Sequence, residues 1–366
     1  MASGMRTGAG YLVGFAGAMF GTDGALSECM AHPLRWITPG TVYEVTTRTI
    51  QERFLLRPGG VARELVLGVV ARALLLYQDV SLYAFAFLSN HFHMMASATD
   101  GAQLSAFIGY VNSNVAREMG RIHKWRGPFW GRRARAIPIV DDESLVARLR
   151  YILSQGVKEG LVERPEDWPG ATSTPWLLGE SLQGVWIDRD RETRTRRRNN
   201  MTDPSSYTAT YDLRMSPLPC WSDLDRDQIS ERTRMLVEDI VAEAQANRTA
   251  PVLGADRVLA QDPHASPPDP ASSPAPLCHA ATSTARRAFR TAYRAFKSAF
   301  FSAATAVRAR LAAGAMSVIA PASDVLPFPP GSFPCPARYI RPGRTFVPPW
   351  LQEPYVNPRA PAALVT

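Results

Sequence analysis

The chain has 366 residues, with 41 Lys and Arg against 33 Asp and Glu, so its net charge is +8, and its pI is about 9.6. That length leaves room for one well-buried core and a second region. The basic balance favours a polyanionic partner, and no apolar run is long enough to span a bilayer. Cys29, Cys220, Cys278 and Cys335 stand far apart with no Cys-x-x-Cys pair. Neither a zinc knuckle nor a disulfide framework is indicated, and a reducing, cytoplasmic setting is expected.

Residues 1–31 are rich in glycine and alanine and are expected to be poorly ordered. The apolar stretch 11–20 has one preceding arginine and no convincing cleavage site, so it is not read as a signal peptide. From His32 the pattern becomes globular. Residues 41–47 alternate as a strand. Residues 61–77 form a helix around Leu65, Val69 and Leu76, and two strands follow at 80–88 and 91–96. Leu104, Ile108, Val111, Val115 and Met119 recur at helical spacing, which predicts a helix over 100–123. A short strand at 134–140 leads into a helix over 142–155. This order predicts an α+β, ferredoxin-like fold, an antiparallel sheet with helices on one face and a site on the open face and strand ends.

After Pro175 the composition shifts. Residues 176–223 read as a basic linker; within them 188–198 holds six arginines against three acids, a solvated run or a DNA-backbone contact. Residues 224–316 read as a helical region, with helices over 224–247 and 284–312 and a proline-rich linker at 261–276. The second helix is basic and amphipathic, with Phe289, Tyr293, Phe296, Phe300, Val307 and Leu311 on one side and Arg286, Arg290, Arg294 and Lys297 elsewhere. Such a helix lies on a membrane or on nucleic acid, or packs its aromatic stripe on its own domain, and packing is expected here. The tail 317–366 is proline-rich and read as extended.

The residues that carry chemistry lie in the first globular region. His91 and His93 are two apart in a strand and so share a face, while Phe92 turns into the core. Two neutral imidazoles suit a divalent metal, and activating a phosphate also needs an oxygen ligand and an open position. The helix over 142–155 offers an oxygen ligand and a nucleophile. Leu145, Leu149, Ile152 and Leu153 form its buried stripe, and Ser144, Arg148, Tyr151 and Gln155 fall on another face. Tyr151 and Gln155, four apart, are neighbours on one surface. Arg117, Arg121, Lys124, Arg126, Arg132 and Arg133 surround Phe129 and Trp130. Cations track phosphates and aromatic faces stack bases, although the two rings also suit a loop anchored on the core.

This ordered set resembles the HUH single-tyrosine transposases, including the REP-associated tyrosine transposases. His91-Phe92-His93 matches the histidine–hydrophobic–histidine motif, Tyr151 in Arg150-Tyr151-Ile152 stands at the nucleophile position, and Gln155 stands where the family carries an amide ligand. Gly127-Pro128-Phe129-Trp130-Gly131-Arg132-Arg133 resembles the family's glycine–aromatic–arginine loop. Gly160-Leu161-Val162 and Pro165-Glu166-Asp167-Trp168-Pro169 resemble its closing segment. The resemblance covers residues 32–175, about two-fifths of the chain. In one departure, Gln155-Gly156 replaces the common Asn-Pro.

The resemblance implies a catalytic domain at 32–175 with Tyr151 as nucleophile and His91, His93 and Gln155 holding Mg²⁺ or Mn²⁺. It implies cleavage and rejoining of single-stranded or hairpin DNA through a 5′-phosphotyrosine, without water or ATP, in a nucleoid-associated, cytoplasmic protein. DNA is the expected partner and a membrane is not; a homodimer is open. Two alternatives stand beside it: a domesticated DNA-hairpin-binding protein without catalysis, and a relaxase-like replication initiator. In relaxases the tyrosine usually precedes the histidine motif, whereas Tyr151 follows it here.

Overall fold

The strand β1 (Val42–Arg48), helix α1 (Gly60–Leu76), strands β2 (Val80–Phe87) and β3 (His91–Ala98), helix α2 (Gly101–Ile122) and strand β4 (Arg135–Ile139) follow one another as a β-α-β-β-α-β unit. The strands pair antiparallel in the order β2-β3-β1-β4, the expected ferredoxin-like plan. The computed structural model describes residues 34–198, 203–268, 275–312 and 328–333. From Trp36 onward the chain forms one compact unit; the other unit, Met1–Arg35, lies almost wholly outside the described residues. Residues 1–31, expected to be poorly ordered, lie outside them too, as does the tail 317–366 except 328–333.

The pleat sorts side chains onto two faces. Tyr43, Val45, Phe92, Met94 and Ala96 face α1 and α2, where they join Val69, Leu104, Phe107 and Val111. Val42, Ala84, Ala86, Met95 and Ile139 turn to the other face. That face was expected to be open. Instead α3 (Asp142–Leu153) roofs it with Leu145, Leu149 and Ile152. Glu44, His91 and His93 have the same parity as Val42 and Met95, so they point towards this roof.

The helix expected over 142–155 breaks at Ser154, and α4 (Gln155–Lys158) begins immediately after. Ser154 Oγ and Gln155 Nε2 both donate to the Tyr151 carbonyl, at 2.9 and 2.8 Å. They compete with the backbone for that acceptor, which is how polar side chains interrupt a helix. Tyr151 and Gln155 therefore straddle a break and remain tied to each other through it.

Beyond α5 (Thr174–Leu177), residues 176–223 do not form a linker. Strands β5 (Gln183–Ile187) and β6 (Thr208–Asp212) pair antiparallel, with α6 (Arg189–Arg198) between them. β5 lies so close to α1 that a Cβ on Gly184 would fall 2.1 Å from the Gly68 nitrogen; only glycine permits that approach. Arg189 pairs with Glu118 of α2 and with Glu192, so part of the arginine run is structural. Helix α7 (Arg226–Asn247) starts from a capping box of Asp225 and Gln228 and packs Ile229 and Ile240 into the second core. After α8 (Ala255–Leu259) and residues 261–268, α9 (Ser283–Ala312) stacks Phe289, Tyr293 and Phe296 around Trp36. The aromatic stripe is thus packed within its own unit, while Arg286, Arg290 and Arg294 stay exposed. Residues 269–274 of the proline-rich segment lie outside the described residues. Among the described residues no helix is long and apolar enough to cross a membrane.

Candidate active site

His91 and His93 leave β3 side by side, their ring centroids 5.1 Å apart. Each ring is held through Nδ1 by a side-chain oxygen: His91 by Asn90 Oδ1 at 2.7 Å and His93 by Glu44 Oε1 at 2.8 Å. Glu44 comes from β1, two residues along the register from Thr46, the partner of His93. Because an ionised carboxylate only accepts, His93 Nδ1 carries the proton and Nε2 keeps the lone pair. This carboxylate–histidine pairing is how ligating imidazoles are usually fixed.

Burial is the first cause holding both imidazoles below their ordinary range. His91 is pushed down well below it, with His93 and Arg48 adding to the effect. For His93, burial outweighs the opposing pull of Glu44. Both rings are therefore neutral at pH 7, the form that binds a metal. Burial alone would raise the Glu44 carboxyl, but the close His279 ring, the hydrogen bond from His93 and the nearby Arg148 bring it well below the usual carboxylate range.

Gln155 is buried at 2% exposure beside the His91 ring. Its nitrogen is held by the Tyr151 carbonyl. Two imidazoles and one amide oxygen thus gather at one place, a donor set that fits a divalent cation with room for further oxygen ligands. Among the described residues no three His, Cys, Asp or Glu side chains converge on a metal site, so the amide is needed to complete the set.

The Tyr151 ring stands 5.3 Å from His93, edge to face. The Arg148 guanidinium lies 3.7 Å and the Lys158 ammonium 4.2 Å from its centre. On its outer side Tyr151 borders a cavity of about 470 Å³ lined by Arg148, Lys158, Ile240, Glu243, Asn247 and Arg248 among others. Helix α7 supplies Ile240, Glu243 and Asn247, and Arg150–Glu243 and Arg164–Glu238 ion pairs fasten it there. Tyr110 lies on the opposite face of the sheet against Tyr77 and Trp186, its hydroxyl pushed up to about 12 by burial.

The basic loop lies at the His91 end of the sheet. Gly131 N donates to Arg48 O, and Arg48 is the register partner of His91. Arg132 and Arg133 are exposed there, and Arg117, Arg121, Lys124 and Arg126 are exposed along the end of α2 and the following turn. Phe129 and Trp130 do not share that exposure. Phe129 is 7% exposed. Trp130 gives its indole N–H to Asn112 O at 2.9 Å and sets its ring against Phe92 and Phe129. Both rings anchor the loop on the core.

Sequence reasoning singled out His91, His93, Tyr151 and Gln155, which the fold brings together. It missed Glu44, Lys158 and His279. A lone acid on the alternating strand 41–47 was a usable signal for Glu44; nothing marked His279.

No protein-family model matches the chain, and no curated protein matches it in sequence. Among solved structures it is similar to a REP-associated tyrosine transposase bound to a REP hairpin, at 17% identity over 39% of this chain and 82% of that one, with a TM-score of 0.30. It is also similar to a protein of Deinococcus radiodurans R1 provisionally assigned as a transposase, at 16% identity over 41% of this chain and 98% of that one, with a TM-score of 0.24. At these scores the likeness carries no argument for the site, which rests on its own geometry.

Proposed function

We propose that the protein is a transposase-like DNA strand transferase that cleaves and rejoins single-stranded or hairpin DNA, with Tyr151 as nucleophile. The observation that carries this reading is the Tyr151 ring 5.3 Å from His93, beside an imidazole pair and an amide oxygen and open to a cavity lined by cations. A tyrosine hydroxyl is a weak nucleophile near neutral pH, so its attack on a phosphodiester needs electrostatic help. Mg²⁺ or Mn²⁺ held by His91, His93 and Gln155 would supply that help, polarising the phosphate and stabilising the leaving oxygen.

The remaining steps belong to the chain. Glu44 and Asn90 hold the two imidazoles in orientation. Arg148 and Lys158 flank the Tyr151 ring and meet the charge of the incoming phosphate. Tyr151 Oη forms a bond to phosphorus as the bond to the 3′ oxygen breaks. The phenol proton passes to water in the cavity, and the 3′ oxygen takes a proton to leave as a free hydroxyl. A 5′-phosphotyrosine remains, and a 3′-hydroxyl attacking it restores a phosphodiester without ATP. Arg117, Arg121, Lys124, Arg126, Arg132 and Arg133 track the phosphates, and we place the catalytic domain at residues 32–175.

The test uses a library of 3′-labelled hairpin oligonucleotides with randomised single-stranded flanks, incubated with the full chain and Mn²⁺. The expected result is label that migrates with the protein on a denaturing gel, lost in chelator. Free cleavage products with no protein-linked label would overturn the tyrosine mechanism.

A further inference from the structure

His279 lies far outside the region that carries the other site residues, yet it reaches into the site. The segment around it adds to the edge of the sheet. His279 N donates to Pro138 O at 2.8 Å, Val140 N donates to His279 O at 3.1 Å, and Ile139 and His279 form a parallel bridge. Two residues on, Ala281 N donates to Asp141 Oδ2 at 2.9 Å, while Asp141 Oδ1 caps α3 through Ser144 N at 2.8 Å. One carboxylate therefore starts the Tyr151 helix and anchors the C-terminal segment.

The backbone register delivers the His279 side chain to Glu44. Its Nε2 lies 2.5 Å from Glu44 Oε2, a close polar contact without hydrogen-bond alignment, with the Glu44 side chain 4% and the His279 side chain 13% exposed. The other oxygen, Oε1, accepts from His93 at 2.8 Å and from Arg148 at 3.1 Å. Glu44 is thus approached on both oxygens, by the His279 ring on one and by the hydrogen bonds of His93 and Arg148 on the other. A buried carboxylate with one unpartnered oxygen would turn to find another donor, and the His93 ring would turn with it.

Resting on the reading of His93 as a metal ligand, we propose that His279 is a positioning residue. It locks Glu44, Glu44 locks the His93 tautomer and ring plane, and the extension beyond residue 175 thereby completes the metal site of the catalytic domain. His279 touches neither substrate nor metal in this account.

The test measures Mn²⁺ binding to the full chain without DNA by calorimetry, for wild type, His91→Ala, His279→Leu, His279→Asn and His279→Gln, with melting temperatures recorded alongside. Glutamine can still offer an N–H to Glu44, whereas leucine cannot, and asparagine falls short of it. The expectation is that Leu and Asn weaken Mn²⁺ binding about tenfold to a hundredfold, and that Gln holds it within about threefold of wild type. If the Leu variant fails to fold, the Asn and Gln pair decides. Wild-type affinity in every folded variant, or an equal loss in Gln and Asn, would overturn the proposal. Failure of the metal reading itself is distinguishable: wild type would bind Mn²⁺ no better than His91→Ala, and the role of His279 would fall with it.

Discussion

The guanidinium carbon of Arg148 lies 3.7 Å from the centre of the Tyr151 ring, and the same side chain donates to Glu44 Oε1 at 3.1 Å. One residue thus joins Tyr151, the proposed nucleophile, to the carboxylate that holds His93. Arg148→Leu removes both links and a charge that faces the incoming phosphate. Covalent adduct formation is expected to slow about a hundredfold, with hairpin affinity nearly kept because other exposed cations remain. Adduct formation at the wild-type rate would show that this contact is packing alone.

His91→Ala and His93→Ala are each expected to abolish cleavage while leaving most hairpin affinity, since phosphate contacts by Arg and Lys dominate binding. Gln155→Ala is expected to be milder, as the neutral amide is the weakest of the three proposed ligands. Cleavage rates measured in chelator and in Mn²⁺ check the shared premise; equal rates would remove the metal from the mechanism.

The loop at the His91 end of the sheet separates anchoring from charge. Because Trp130 gives its N–H to Asn112 and packs on Phe92, Trp130→Ala is expected to cost about 2–4 kcal/mol of stability. Arg132→Ala with Arg133→Ala is expected to leave melting unchanged and reduce the salt slope of hairpin binding by about 2. Denaturation and salt-dependent binding on the same proteins check both. A Trp130→Ala protein that melts normally but binds weakly would return the indole to a base-stacking role.

His123 supplies a pH test away from the site. It is 6% exposed, and among the described residues its Nε2 has no hydrogen-bond partner. Burial first, then Arg57, brings it down to about 4. In the unfolded chain the ring titrates near 6.5, so between about 6.5 and 4 the unfolded state binds more protons. Stability from this group is full above that window and is lost as pH falls through it, on the order of 2 kcal/mol once residual solvation is discounted. Denaturation of wild type and His123→Phe at pH 7 and pH 5 should show wild type losing stability relative to the variant at the lower pH. A difference between the two proteins that stays constant would contradict it.

The hydrophobic periods made the β-α-β-β-α-β order legible because each element has a buried side whose spacing is set locally. The same spacing could not show that α3 roofs the second face, which depends on where the chain returns after β4. The break at Ser154 was hidden because Ser154 and Gln155 compete for the Tyr151 carbonyl through side chains. Strand β5 was masked by its shortness and by the arginines that follow; its seat on α1 depends on Gly68 and Gly184, two residues that read as neutral in sequence. His91, His93, Tyr151 and Gln155 carried a local signature. His279, just past the proline-rich stretch, carried none, and its place follows from a backbone register with β4.

The central claim is that Tyr151 becomes covalently bound to DNA. Peptide mass spectrometry of the protein–hairpin adduct, after nuclease trimming, tests it most directly. The account predicts one modified peptide, containing Tyr151 and carrying the 5′-phosphate of the trimmed DNA, and no such peptide from Tyr151→Phe, which should bind the hairpin as wild type does. A nucleotide on any other side chain, or an adduct that persists in Tyr151→Phe, would contradict it.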